Sequence, residues 1–321
     1  MSKRGLAILG IGLTVVLLAG CGSMSNHTKE DSSGMNQSET KTESEVQNEE
    51  MKTGEKELEE SMENQGSNLL TPEKAYERME SGDPITIVDV RTEEEYNAGH
   101  IENAILIPNE EITDTKPELL PVMDAEILVY CRSGNRSGQA TAKLEEMGYT
   151  NVKDFGGIMD WPYETVNTPW EDKQGDLSSF RSVTLDGQAL DEIFFAQADL
   201  TMVNVWATFC GPCLSEMPEL GELSAEYADQ KVQIAGVVLD TLDSDGTISQ
   251  EQILEARSLV EQTGANYTHM LPTTDLLNSG LDTIYTVPTT FFVDSNGSIV
   301  GESYLGSRSK AEWAQIIEEL K

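Results

Sequence analysis

The chain has 321 residues and a formal charge of −36, from 57 acidic against 21 basic residues. Its length, about twice the ~150 residues of an average domain, predicts two globular units with room for a tail. A charge this negative argues against nucleic acid as a partner, because phosphate contacts need clustered Lys and Arg. Cys21, Cys131, Cys210 and Cys213 are too few for a disulfide-stapled scaffold. His27, His100 and His269 lie far apart, and one CxxC lacks the second pair of a zinc site, so neither a metal nor any other cofactor is expected.

Lys3 and Arg4 precede the mostly apolar run Leu6 to Ala19, too short for a comfortable membrane span of about 20 residues but shaped like a secretory signal. Leu18-Ala19-Gly20-Cys21 resembles the bacterial lipobox. That resemblance implies a lipoprotein signal over 1–21, with Cys21 the lipidated first residue of the mature chain. An ordinary signal peptide or a bare anchor is the alternative. Residues 22–68 carry 12 acidic residues, 4 lysines and almost no large apolar side chains. Such a segment cannot bury enough surface to offset its chain entropy and is expected to be a disordered, self-repelling tether, with some helix open to Val46–Met62.

The first globular unit is expected over 69–170. Thr71-Pro72-Glu73 predicts a helix start, a capping hydroxyl followed by Pro at the first helical position, with the helix running toward Gly82. Ile85–Val90, Ala104–Ile107 and Ile127–Tyr130 predict buried strands, and Gly138–Met147 a helix. Strands alternating with helices predict a parallel sheet with covered faces, where ligands bind beyond the carboxyl ends of the strands. Cys131-Arg132-Ser133-Gly134-Asn135-Arg136-Ser137 falls at such an end, directly before a helix. Loop amides, the helix N-terminus and the charges of Arg132 and Arg136 should together favour the nucleophilic thiolate. A static buried Cys would more often sit within a strand, amid apolar neighbours.

This unit resembles a single-domain rhodanese over roughly 100 residues. The first signature is Ile87-Val88-Asp89-Val90-Arg91 with Glu95-Tyr96 and Gly99-His100-Ile101; the loop 131–137 is the second, and Gly156-Gly157 with Trp161 the closing segment. The resemblance implies that Cys131 accepts a sulfane sulfur as a persulfide, that the loop residues 132–137 bind the substrate, and that a second thiophile takes the sulfur away. Asp89, Arg91 and His100 read as hydrogen-bonding architecture for the loop. A cysteine phosphatase, the natural competitor, places five residues between Cys and Arg; only four, 132–135, separate Cys131 from Arg136, and the smaller ring suits a sulfur atom.

The second unit is expected over 177–321. Phe180–Leu185, Met202–Trp206 and Val232–Leu239 predict strands, and Leu214–Tyr227, Gln250–Gln262 and Lys310–Leu320 predict helices. Thr290–Asp294 and Ile299-Val300 predict a hairpin about Asn296-Gly297. Cys210-Gly211-Pro212-Cys213 lies where a strand turns into a helix. That spacing lets two sulfurs meet across one turn, the first stabilised as thiolate by helix-terminal amides and the second placed to resolve a mixed disulfide. Half a zinc site or a static disulfide is the bland alternative. Val287-Pro288-Thr289 is a candidate cis bond that would bring backbone alongside the dithiol, although trans is the commoner state of X–Pro.

This unit resembles the thioredoxin superfamily over about 140 residues, in particular the extracytoplasmic TlpA/ResA-like reductases, by Trp206-Ala207-Thr208-Phe209 before the CxxC, Glu216, Pro218, Val287-Pro288-Thr289 and extra strand–helix material near 240–270. Where cytoplasmic thioredoxin has a buried carboxylate, this chain has Asn204, which leaves Glu216 to take protons from Cys213. Cys210 is then the attacking thiol, and Pro288 a substrate contact.

The expected fold class is thus α/β, a rhodanese-like parallel-sheet domain followed by a thioredoxin-fold domain. The expected function is a lipid-anchored thiol–disulfide reductase on the extracytoplasmic face of a bacterial membrane, its rhodanese carrying sulfur on Cys131. Its partners would be oxidised protein thiols, a membrane electron donor and a small sulfur donor such as thiosulfate or polysulfide. The Cys-Gly-Pro-Cys pair resembles reductants near −270 mV more than oxidants near −120 mV. Two alternatives stand beside it: a sulfurtransferase whose thioredoxin unit keeps Cys131 reduced, or a reductant with a rhodanese that only binds. Two reactive sites in one chain also suggest a relay, with a Cys131 persulfide reduced by Cys210 to release sulfide.

Overall fold

The computed structural model describes residues 68–171, 176–243 and 246–321; the expected signal segment, Cys21 and the tether up to residue 67 lie outside the described residues. The first half begins with α1 (Pro72–Met79), where Thr71 Oγ1 accepts from the Lys74 amide at 3.3 Å and Pro72 fills the first turn. There follow β1 (Ile85–Asp89), α2 (Glu93–Asn97), β2 (Ala104–Leu106), β3 (Glu126–Cys131), α3 (Asn135–Glu146) and β4 (Val152–Gly157). The strands form an all-parallel sheet in the order β2-β1-β3-β4.

Both faces of this sheet are covered, which is why its strands read as continuous apolar runs. Along β3, Ile127, Val129 and Cys131 enter one core with Ala140 and Leu144 of α3, while Leu128 and Tyr130 enter the other with Tyr96 and Phe155. Strand alternation therefore turns Cys131 toward α3. The sequence predicted the α3 start three residues late, at Gly138. It missed α2, whose polar Glu-Glu-Glu opening is set by a Thr92–Glu95 capping box, and β4, whose Lys153, Asp154 and two glycines break the apolar pattern.

The second half contains β5 (Arg181–Val183), β6 (Ala189–Asp191), α4 (Ile193–Ala196), β7 (Leu200–Trp206), α5 (Gly211–Tyr227), β8 (Val232–Val238), α6 (Gln250–Thr263), β9 (Thr268–Met270), α7 (Thr274–Asn278), β10 (Thr289–Asp294), β11 (Ile299–Leu305) and α8 (Lys310–Leu320). Its main sheet has the order β11-β10-β7-β8-β9, with β7, β8 and β9 parallel and β10 and β11 antiparallel; β5 and β6 pair as a separate hairpin. The long α5 buries Cys213, Glu216, Met217, Leu220, Leu223 and Tyr227 along one stripe, the spacing of a core-facing helix. The elements that went unpredicted here, β6, α4, β9 and α7, are three to five residues long and too short to show a period.

The two halves form one compact unit. Leu119, Val122 and Ala125, just before β3, join an apolar cluster with Leu185, Trp206 and Cys213. The Gln250 side chain accepts from the Met123 amide at 3.1 Å and donates to the Pro121 carbonyl. Arg257 pairs with Asp124 at 2.8 Å and donates to the Leu185 carbonyl at 2.8 Å. Thr86 Oγ1 donates to the Gly187 carbonyl, and the Thr274 amide donates to Glu118 at 2.6 Å.

Candidate active sites

Cys131 ends β3 at 1% exposure. Gly134, in the left-handed region at φ 91°, turns the chain so that its amide donates to Cys131 Sγ at 3.1 Å, and α3 starts at the next residue. The loop lies tight against the end of β4. A Cβ on Gly157 would come within 2.5 Å of the Arg132 carbonyl oxygen and of Ser133 Cα. Ser137 is buried, its hydroxyl within 3.1 and 3.2 Å of the Gly134 and Gly156 carbonyl oxygens and free to turn its one proton toward Cys131. Burial alone would push the Cys131 thiol up. Hydrogen bonds from the Ser137 side chain and from the amides of Ser137, Ser133 and Gly134 outweigh it and hold the thiol below its ordinary value.

Arg132, Ser133 and Asn135 are exposed at the rim. Arg136 is not a free cation at the mouth: it forms a forked pair with Glu95 at 2.6 and 2.8 Å. The hydrogen bond to Arg136 is the main reason the Glu95 carboxyl is held down at about 2. Asp89 and Arg91 are buried and clasp each other at 2.6 to 3.0 Å, with Arg91 also donating to the Gly99 carbonyl. His100 stacks on Tyr96 and hydrogen-bonds its carbonyl at 3.0 Å. All three bond within the segment 89–100, and none of these hydrogen bonds reaches the loop 131–137 that they were expected to hold.

The second sulfur site stands at the start of α5. Cys210 is the N-cap residue, its Sγ accepting from the Cys213 amide at 3.2 Å, and the two sulfurs are joined as a disulfide. Cys213 is fully buried and Cys210 5% exposed, whereas Gly211 and Pro212 face solvent. The strand-to-helix turn is fastened by Thr208, whose amide and hydroxyl both donate to Asp240. Val287-Pro288 is cis, and the Pro288 carbonyl accepts from the Gly306 amide at 2.9 Å. Phe209 and Tyr285, next to Cys210 and three residues before Pro288, are exposed at 78% and 90%.

Glu216 lies one turn after Cys213 on the same face of α5 and is 3% exposed, a buried carboxylate. Burial raises its pKa, against the opposing effect of the Arg308 amide at 3.0 Å and Asn204 Nδ2 at 3.0 Å. Asn204 thus helps hold the Glu216 carboxyl in place. Beneath the CxxC, Trp206 Nε1 donates to His269 Nδ1 at 3.1 Å and His269 Nε2 meets the Ala265 carbonyl at 3.0 Å, a pairing that fixes the neutral imidazole. Burial pushes His269 down to about 4. Sequence reasoning missed His269, Asp240 and Arg308. His269 sits over Gly236, where no other side chain would leave room for the ring, and that glycine was its one available sign.

An amide-cradled single thiol and a helix-capping dithiol on a thioredoxin fold define a protein of sulfur transfer and thiol–disulfide exchange. The rhodanese-like domain family matches residues 71–163, and the redoxin family residues 173–316. The chain is 41% identical over 73 residues to the thiosulfate sulfurtransferase PspE of Escherichia coli, covering 23% of this chain and 70% of that protein. It is 35% identical over 95 residues to a sulfurtransferase of Allochromatium vinosum, covering 29% and 87%. It is also 35% identical over 101 residues to the thiol–disulfide oxidoreductase ResA of Oceanobacillus iheyensis, covering 30% of this chain and 45% of that protein. The chain belongs to the rhodanese family and joins to it a redoxin domain, an enzyme with a sulfurtransferase half and a thiol–disulfide oxidoreductase half.

Proposed function

We propose that the protein is a lipid-anchored, extracytoplasmic thiol–disulfide reductase whose rhodanese domain carries sulfane sulfur as a Cys131 persulfide. One observation carries the reading. Two of the three described cysteines are paired at a helix start, while the third stands alone among amide donors. In the reduced enzyme, the Cys210 thiolate attacks a client disulfide and forms a mixed disulfide. Glu216, with its raised pKa, takes the Cys213 proton, and Cys213 then attacks Cys210 Sγ, expelling the reduced client. A membrane electron donor restores the dithiol. Phe209, Tyr285 and Pro288 offer the client an apolar rim and backbone.

At the other site the Cys131 thiolate attacks the sulfane sulfur of a donor such as thiosulfate or polysulfide, forming the Cys131 persulfide as the donor's S–S bond breaks and sulfite or the shortened polysulfide leaves. The loop amides hold the new terminal sulfur, and Arg132 is the exposed cation that meets the anion. The N-terminal charge, the apolar run and the Cys21 lipobox support residues 1–21 as a lipoprotein signal, 22–68 as the tether and 69–170 and 177–321 as the working domains. Two acyl chains on Cys21 would suffice for stable anchoring.

Trapping with Cys213→Ser tests the reductase. Mixed disulfides should accumulate on Cys210 with extracytoplasmic proteins, and a variant that captures none contradicts it. Cys21→Ala should release the protein from membranes; retention there would contradict the lipid anchor.

A further inference from the structure

The seam between the two halves leaves open a cleft of about 1050 Å³, and no residue of either sulfur site lines it. One wall comes from the rhodanese half. There Tyr76 and Tyr163 stack with ring centroids 3.8 Å apart, and Trp161 meets them edge-on at 6.0 and 5.0 Å. Glu80, Asp83, Glu102 and Glu164 stand on the same wall. Arg78 pairs with Asp83 at 2.9 Å, but among the described residues Glu80, Glu102 and Glu164 have no ion-pair partner, and no Lys, Arg or His lines the cleft. The opposite wall, from the redoxin half, differs in kind. Ala189, Leu190, Ile193 and Phe194 give it an apolar surface, and Asp191 is the single carboxylate among its described residues. Among the described residues β6, which carries Ala189 and Leu190, pairs with β5 alone, so its other edge has no strand partner.

We propose that this cleft is a docking site for an extended segment of a partner protein in which basic and apolar residues alternate. Charge and shape select that occupant. Carboxylates and the negative faces of aromatic rings both attract cations, whereas the apolar wall gains by covering alkyl side chains. Successive side chains of an extended chain point to opposite sides. An alternating segment therefore turns its cations to the rhodanese wall and its apolar groups to the redoxin wall, and the open edge of β6 meets its backbone. The volume stands at the top of the ~300–1,000 Å³ range of small-molecule pockets and admits several residues of polypeptide. The chain's own segment 22–67 has the wrong sign, with 12 acidic residues against 4 lysines. Docking here holds a partner on the enzyme at a point where neither sulfur is engaged, which raises the local concentration of that partner for whichever site acts on it.

The test titrates the full chain into a fluorescent ten-residue peptide of alternating Arg and Leu, followed by anisotropy at about 0.15 M salt. Binding should saturate at one peptide per chain. Tyr163→Ala, and separately the pair Glu102→Gln with Glu164→Gln, should each weaken it about tenfold, and Ile193→Ser, on the opposite wall, about fivefold. The pair Glu255→Gln with Glu261→Gln removes the same two charges from exposed positions of α6 and should leave the affinity within about twofold of wild type. An Arg–Gly peptide of equal charge should bind about tenfold more weakly, and a Glu–Leu peptide not at all. Equal losses from the cleft pair and the α6 pair would show that the overall charge of −36 holds the peptide without a site, and would overturn the proposal. Absence of saturable binding, Tyr163→Ala binding as wild type does, or Arg–Gly binding as tightly as Arg–Leu would overturn it equally. Reduction of a small synthetic disulfide at the wild-type rate certifies that each variant is folded, since none of these residues belongs to the CxxC site.

Discussion

Cys131 and Cys210 both stand where a strand gives way to a helix, and both are nearly buried, at 1% and 5% exposure. Around Cys131 the nearby polar groups are amides and a serine hydroxyl, and the loop's forward cation, Arg136, is matched by Glu95. Around Cys210 there is a second sulfur one turn on, and behind that sulfur a buried carboxylate. The same helix-terminal electrostatics thus serve two chemistries, and the neighbour decides which. A lone thiolate in an amide ring can hold an added sulfur atom but cannot expel it, whereas a paired thiolate closes on its partner and releases whatever it bound.

The sharpest way to break this comparison is to remove one sulfur at a time. Cys131→Ser should abolish persulfide loading, a loss of at least ~10³-fold, with disulfide reduction within about twofold of wild type. Cys210→Ser should do the reverse, and a variant that disabled both activities would show that the sites are coupled. Next in size is Glu216→Gln, expected to slow disulfide reduction by about 10²-fold without touching sulfur loading. Glu216 accepts a proton only when ionised, and burial raises its pKa above 4.5. The wild-type resolving step should therefore accelerate as pH climbs through that raised value, and the Gln variant should lack this limb in stopped-flow profiles.

Acid should also separate the halves by stability. His269 is held down near 4 from 6.5, so below pH 6.5 the unfolded chain binds the extra proton. The stability this confers is present above 6.5 and lost as pH falls toward 4, about 3 kcal/mol from the redoxin half. Denaturant melts of wild type and His269→Asn should diverge in slope across that window, and parallel slopes would contradict the assignment. Glu95, held near 2 from 4.5 chiefly by Arg136, stabilises the rhodanese half above pH 4.5 and loses that effect toward pH 2. Its exposure reduces the contribution to about 1 kcal/mol, so Glu95→Gln should give the smallest shift, read as a drop in rhodanese stability at pH 7.

Most of this organisation is legible in the sequence where a long pattern or a chemical motif exists. The buried parallel strands declare themselves as Ile/Val runs, and α8 is bounded by Ser309 and Lys321 as its pattern predicts. The two cysteine loops could be read because nucleophile, glycine and helix start are contiguous. Legibility fails where partners converge from distant segments. Glu95 reaches Arg136 across 41 residues, Arg308 reaches Glu216 across 92, and His269 reaches Trp206 across 63. The seam was invisible for the same reason: Gln250 and Arg257 read as ordinary polar residues of an amphipathic helix until Pro121 to Asp124 are laid against them.

The central claim, that one thiol stores sulfur while an independent pair exchanges electrons, is tested most directly by the intact mass of the full chain after treatment with a sulfur donor. Wild type and the Cys210→Ser, Cys213→Ser double variant should each gain one sulfur atom's mass, mapped to Cys131 and lost on alkylation of that thiol beforehand. A chain that gains nothing at Cys131, or gains it only when the CxxC is intact, would contradict the account.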